Sequence, residues 1–126
     1  MSNILLDTNA FLAMIDVGKP LPKKAYSMIE ARNCLLSIAT PWEMCIKHSL
    51  GKLRLTASIE EIMQNHDDIL TVLPIEIKHI QQLSALPHHH RDPFDRIIIA
   101  QAIAENLPVV SSDEAFDAYD VERVWE

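Results

Sequence analysis

Glycine is nearly missing from this chain: only Gly18 and Gly51 occur in 126 residues. That excludes a glycine-rich phosphate loop, and Gly18-Lys19 lacks the upstream glycine of a Walker A loop. Cysteine is as scarce. Cys34 and Cys45 make no disulfide framework and are not spaced as a metal knuckle, which leaves two reduced buried thiols. No apolar run approaches the roughly 20 residues that span a bilayer. The start, Met1 to Asp7, carries neither a basic n-region nor a long h-region. It does not read as a signal peptide, and the chain is expected to stay in the cytosol. Basic charge is short too, with 11 Lys and Arg against 18 Asp and Glu, a net −7. This excludes a protein that holds nucleic acid by a broad basic surface. A nuclease is not excluded, because bound cations cancel the acids that ligate them.

What is present is the balance of an ordinary globular domain, with 48% hydrophobic and 23% charged residues. The length fits one domain with one core. Local basic clusters (Lys19, Lys23 and Lys24; Lys47, His48, Lys52 and Arg54; His88, His89, His90, Arg91 and Arg96) are candidate phosphate contacts or solvated surface. Short apolar strands are predicted at Asn3–Asp7, Cys34–Ile38, Leu70–Leu73 and Val109–Ser111, with an edge strand at Val121–Val124. Helices are predicted at Thr8–Ile15, Pro22–Asn33, Thr40–Leu50, Ser58–His66, Ile75–Ala85 and Pro93–Glu105, and a short one from Asp113. Gly51 suits the C′ position after the third helix. Ser58 and Glu61 have capping-box spacing. This alternation implies a mainly parallel sheet of four to five strands with helices on both faces, an α/β/α sandwich. In such folds, sites form at the carboxyl ends of the strands.

Four acids stand there. Asp7 closes the first strand, Glu43 lies in the helix after the second, and Asp113 follows the fourth. Asp95 sits in the first turn of the apolar helix, on the stripe of Ile98, Ile99 and Ala102. An isolated ionised carboxylate on such a stripe is costly without a partner or a metal. Each acid also has a local explanation. Thr40-Pro41-Trp42-Glu43 and Asp92-Pro93-Phe94-Asp95 both read as capping boxes, Asp7 and Asp113 can cap the helices after them, and Glu43 can pair with Lys47. Capping does not require four acids to converge on one end of one sheet; metal binding does. Mg²⁺ or Mn²⁺ takes hard oxygen ligands and supports in-line displacement at phosphorus.

Four segments in order resemble the PIN-domain ribonucleases, and especially the VapC-type toxins of toxin–antitoxin pairs. They are Leu5-Leu6-Asp7-Thr8-Asn9-Ala10-Phe11-Leu12, Pro41-Trp42-Glu43-Met44-Cys45-Ile46-Lys47 with Leu50-Gly51-Lys52-Leu53, His90-Arg91-Asp92-Pro93-Phe94-Asp95-Arg96 with Ile99-Ala100-Gln101-Ala102, and Pro108-Val109-Val110-Ser111-Ser112-Asp113-Glu114-Ala115-Phe116. The resemblance runs nearly end to end and implies a single PIN domain over residues 1–126. It implies that Asp7, Glu43, Asp95 and Asp113 hold Mg²⁺ or Mn²⁺ for cleavage of RNA. It leaves Asp92 as a helix cap or outer support, Ser111 where the family often has threonine, and Asn9 to orient Asp7 or a water. It also implies a homodimer and a small antitoxin partner. The helices at Pro22–Asn33 and Ser58–His66 are candidate contact surfaces or, equally, ordinary outer helices.

Around this site, Arg91 and Arg96 are candidates to hold a phosphate, or Arg96 to pair with a nearby acid. His88-His89-His90 reads chiefly as a surface loop, with a role near the substrate as the alternative. Trp42 and Trp125 read as core or interface packing rather than stacking platforms. Two other classes compete with this reading. One is a PIN-fold binding module acting through its antitoxin complex. The other is a phosphatase with an aspartyl nucleophile at Asp7, which is disfavoured by Asn9 in place of a second Asp and by the absence of lysine between Val109 and Asp113.

Overall fold

The computed structural model describes residues 2–15 and 21–126; Gly18 and Lys19 lie outside them. Five strands form one parallel sheet: β1 (Asn3–Leu6), β2 (Asn33–Ser37), β3 (Leu70–Leu73), β4 (Val109–Val110) and β5 (Arg123–Val124). Their order is β3-β2-β1-β4-β5. The apolar runs chose these strands because a parallel strand in the middle of a sheet is buried on both faces. Ile4, Leu5 and Leu6 have no exposed surface.

Alternation along β1 sorts the helices into two layers. Ile4 and Leu6 point to the side of α1 (Thr8–Ile15), α2 (Lys23–Ala31), α3 (Ala39–Ser49) and α4 (Ile59–Asn65), where Phe11, Ala25, Met44 and Ile62 meet them. Leu5 and Val109 point to the other side, against Leu83 of α5 (Ile77–Ser84) and Ile98, Ile99 and Ala102 of α6 (Pro93–Glu105). Phe116, from a 3₁₀ turn at Glu114–Ala118, joins that layer. The α/β/α sandwich is therefore formed. Among the described residues, no helix is long and apolar enough to cross a membrane.

Ends differ from the sequence reading in ways that matter for the site. β1 stops at Leu6, leaving Asp7 just beyond it, and β4 is two residues long, leaving Ser111 outside. The helix predicted over Pro22–Asn33 ends at Ala31, because Asn33 enters β2 and pairs with Asn3. The third helix starts at Ala39 rather than after Thr40, because the Ser37 hydroxyl at the end of β2 accepts the Ala39 N–H at 3.1 Å. Gly51 takes φ +72° after α3, where a side chain would be strained, and Ser58 accepts the Glu61 N–H at 3.1 Å. On the α5/α6 side, buried His79 takes the Glu76 N–H on Nδ1 and faces Glu105 at 2.7 Å, tying α5 to the end of α6.

Candidate metal centre

The strand order places β1 between β2 and β4, so chain connections diverge on either side of it. In open parallel sheets, sites form at such a switch point, beyond the carboxyl ends of the strands. Asp7 lies there, at the end of β1. Its Oδ1 accepts the Ala10 N–H at 2.7 Å, the bond of a helix cap. The Ser111 hydroxyl, from the end of neighbouring β4, hydrogen-bonds the same carboxylate. Ser111 Oγ in turn accepts the Asp113 N–H at 3.0 Å, so one serine ties two acids together. Asp113 also accepts the Ala115 N–H at 3.0 Å on Oδ1, which caps the 3₁₀ turn and leaves Oδ2 facing inward.

Glu43 enters from α3 and is almost fully buried. It does not belong to a capping box, since α3 begins earlier than the sequence suggested. Instead Oε1 accepts the Thr8 hydroxyl at 2.7 Å, and Oε2 faces Lys47 Nζ at 2.6 Å. Thr8 Oγ1 lies 3.1 Å from Thr40 Oγ1, so both buried hydroxyls serve this corner. Asp95 projects from the first turn of α6. Its neighbour Asp92 is the cap, accepting the Phe94 and Asp95 N–H groups at 2.8 and 3.3 Å. Capping and convergence thus coexist, with Asp7 and Asp113 doing both.

Electrostatics report the convergence directly. Burial pushes the Asp7 carboxyl up to about 6, helped by the charges of Asp113 and Glu43 and offset by hydrogen bonds from Ser111 and Ala10. Asp95 is pushed up to about 7 by burial and by Asp92, with smaller contributions from Asp7 and Glu43, offset in part by His90. Carboxylates that raise one another in this way share one desolvated space. Lys47 and His90 are the cationic or donor groups facing it.

His90 is the residue that sequence reasoning undervalued. Of the three adjacent histidines, His88 and His89 are exposed, whereas His90 points inward. Its Nε2 lies 2.8 Å from Asp113 Oδ2 and 3.2 Å from Asp95 Oδ2. Arg96 departs from expectation in the other direction. It is buried, contacts no carboxylate, and spends its guanidinium on the backbone oxygens of Leu86, Pro87 and His90. It supports the loop beneath the site and is not placed to hold a phosphate. Asn9 is exposed in the first turn of α1, while the Asp7 carboxylate takes its bonds from Ala10 and Ser111. Trp42 is 57% exposed and stands edge-on to Phe94 at 4.9 Å, so it is not core, whereas Trp125 packs on the α1/α2 layer.

Four carboxylates, three neighbouring hydroxyls and no cysteine make an oxygen-rich donor set. Such a set suits a hard divalent cation, Mg²⁺ or Mn²⁺. The elevated Asp7 and Asp95 carboxyls fit this too, because a divalent charge relieves the repulsion that raises them.

The sequence matches the profile of the PIN domain over residues 4–122, and the chain belongs to that family. Solved structures with the same fold are VapBC2 from Rickettsia felis bound to a promoter DNA fragment, DNA-bound VapBC from Salmonella typhimurium, and VapBC-5 from Mycobacterium tuberculosis, a member of the VapBC toxin–antitoxin family. The first is 17% identical, with a TM-score of 0.75, over 98% of this chain and 99% of that one. The second is 19% identical, with a TM-score of 0.70, over 98% of both chains. The third is 22% identical, with a TM-score of 0.66, over the whole of both. Comparison with curated proteins gives no match.

Proposed function

We propose that this chain is a metal-dependent endoribonuclease, the toxin of a toxin–antitoxin pair, with Asp7, Glu43, Asp95 and Asp113 as the ligands of Mg²⁺ or Mn²⁺. The observation that carries this reading is the gathering of four acids at the switch point of the sheet: His90 Nε2 lies 3.2 Å from Asp95 and 2.8 Å from Asp113, Ser111 links Asp113 to Asp7, and the charges of Asp7 and Glu43 both bear on Asp95. Capping accounts for single acids and does not account for that group. Membership of the PIN family supports nuclease chemistry, and the similar VapBC structures support a toxin with an antitoxin partner.

A bound divalent ion would supply an activated water and charge stabilisation at the leaving oxygen. The chain's own residues do the rest. Ser111 takes the Asp113 N–H and hydrogen-bonds Asp7, which links the segments that carry these two acids. Thr8 and Lys47 hold Glu43 against the corner, and Lys47 offsets its charge. Asp95 is half-buried at the start of α6 and faces His90.

Metal and protons compete for the same oxygens. Asp7 and Asp95 carry protons below about pH 6 and pH 7, respectively. Cation affinity therefore rises as pH increases through that window and levels off above it. Calorimetric titration with Mn²⁺ in buffers of different ionisation enthalpy is expected to show proton release near pH 6 and little at pH 8.

For the partner, a cleft of about 690 Å³ lies beside α4, lined by Leu12, Ile15, Leu53, Leu55 and Ile62 together with Lys52, Arg54, Asn65 and His66. This mixed apolar and basic lining suits a segment of the antitoxin. A homodimer belongs to the same reading, with exposed Trp42 as a candidate contact. The test is cleavage of RNA by purified protein with Mg²⁺ or Mn²⁺, its loss in EDTA, and relief of growth arrest by the neighbouring small gene's product. Absence of cleavage in either metal, with tight partner binding retained, would instead identify a PIN-fold binding module.

A further inference from the structure

The loop before α6 is held by two side chains distant in sequence. The Tyr119 hydroxyl donates to the Pro87 carbonyl at 2.8 Å and accepts the His90 N–H at 2.7 Å. Arg96 Nη1 donates to the Pro87 carbonyl at 2.8 Å and to the His90 carbonyl at 3.4 Å, and Nη2 to the Leu86 carbonyl at 3.2 Å. Burying a guanidinium is costly unless its donors are used. Here three of its five donors are used on one short loop. What the loop presents is a single side chain, His90, edge-on to Phe116.

The ring of His90 has a defined orientation and a defined proton. Its Nδ1 accepts the Asp92 N–H at 3.2 Å. A nitrogen that accepts carries no hydrogen, so in the neutral ring the proton is on Nε2. That N–H is divided between Asp113 Oδ2 at 2.8 Å and Asp95 Oδ2 at 3.2 Å. The His90, Asp95 and Asp113 donor atoms are close enough together to suggest a three-ligand metal site. The Asp92 contact argues against it, because a ligating Nε2 would need its hydrogen moved to Nδ1, where the Asp92 N–H already points.

We infer that His90 is a positioning residue: its Nε2–H bridges Asp95 and Asp113, two acids from different elements, and sets their spacing for a divalent cation without ligating it. The inference rests on the metal-binding reading of the four acids. Its role is that of the outer groups that orient metal ligands, whose loss weakens binding by about 10- to 100-fold.

Direct Mn²⁺ titration of the folded protein by electron paramagnetic resonance tests it. His90→Ala is expected to weaken Mn²⁺ binding by about 10-fold or more. His90→Gln, whose amide N–H sits close to the position of Nε2–H, is expected to recover most of that affinity. His90→Asn, whose amide corresponds to Nδ1, is expected to behave like alanine, and His88→Ala, in the exposed part of the loop, like wild type. The Mn²⁺ signal of the wild type is expected to show no coupling to an imidazole nitrogen. Wild-type affinity in His90→Ala, equal affinity in the Gln and Asn variants, or a nitrogen coupling that His90→Gln abolishes would overturn the positioning role. A wild type that binds no Mn²⁺ would overturn the metal-site reading beneath it.

Discussion

Asp7→Asn is expected to cleave RNA at least about 10³-fold more slowly than the wild type, a loss of about 4 kcal/mol of transition-state stabilisation. The size follows from where Asp7 stands. It closes the central strand, touches the elements after β4 through Ser111, and feels the charges of Asp113 and Glu43. An amide keeps the shape and can still accept the Ala10 N–H that caps α1. On the proposed reading, what it loses is the negative charge that would draw in a divalent ion. Folding should therefore survive while catalysis does not. Circular dichroism and a fluorescent RNA cleavage assay on the same sample separate the two. Cleavage by Asp7→Asn within tenfold of wild type would mean that the chemistry lies elsewhere.

The second large effect runs in the opposite direction for stability. In EDTA, Asp95→Asn is expected to be more stable than the wild type at pH 8, by on the order of 2 kcal/mol, or a Tm higher by about 5 °C or more. Burial and the neighbouring acids raise Asp95 to about 7 in the folded protein. The unfolded chain releases that proton near pH 4, so the folded state loses stability as pH rises from about 4 to 7 and keeps the full penalty above that. Asparagine carries no charge and so no penalty. The advantage should vanish below about pH 3, where the wild-type acid is protonated in both states. Saturating Mn²⁺ should reverse the order at pH 8, because the ion stabilises the protein that binds it. Thermal unfolding at the two pH values, with and without Mn²⁺, reads all four quantities. An Asp95→Asn protein less stable than wild type in EDTA at pH 8 would contradict the electrostatic account.

Much of this was legible in the sequence. Apolar runs such as Ile4-Leu5-Leu6 name the buried strands, and Asp95 shares the stripe of Ile98, Ile99 and Ala102 that faces the sheet. The separation of Asp92 as cap from Asp95 as inward acid follows from ordinary helix-start chemistry, and the structure keeps it. The parts that were not legible depend on distant contacts. Thr40 looks like an N-cap until the helix begins at Ala39, whose N–H the Ser37 hydroxyl accepts, and Thr40 turns inward to Thr8. Arg96 looks like a phosphate ligand until the loop before α6 folds over its guanidinium. Three consecutive histidines look alike, and contacts from Arg96 and from Tyr119, 29 residues further on, hold the loop so that His90 faces the acids. No local pattern encodes that choice.

The central claim is that the four acids gather a divalent cation at the end of the sheet. Anomalous diffraction from crystals soaked in Mn²⁺ tests it most directly. The expected result is one or two Mn²⁺ peaks within coordination distance (about 2.2 Å) of the inward oxygens of Asp7, Asp95 and Asp113, with Glu43 facing them. Full Mn²⁺ loading with no peak among these carboxylates, or with the Mn²⁺ held only elsewhere, would contradict it.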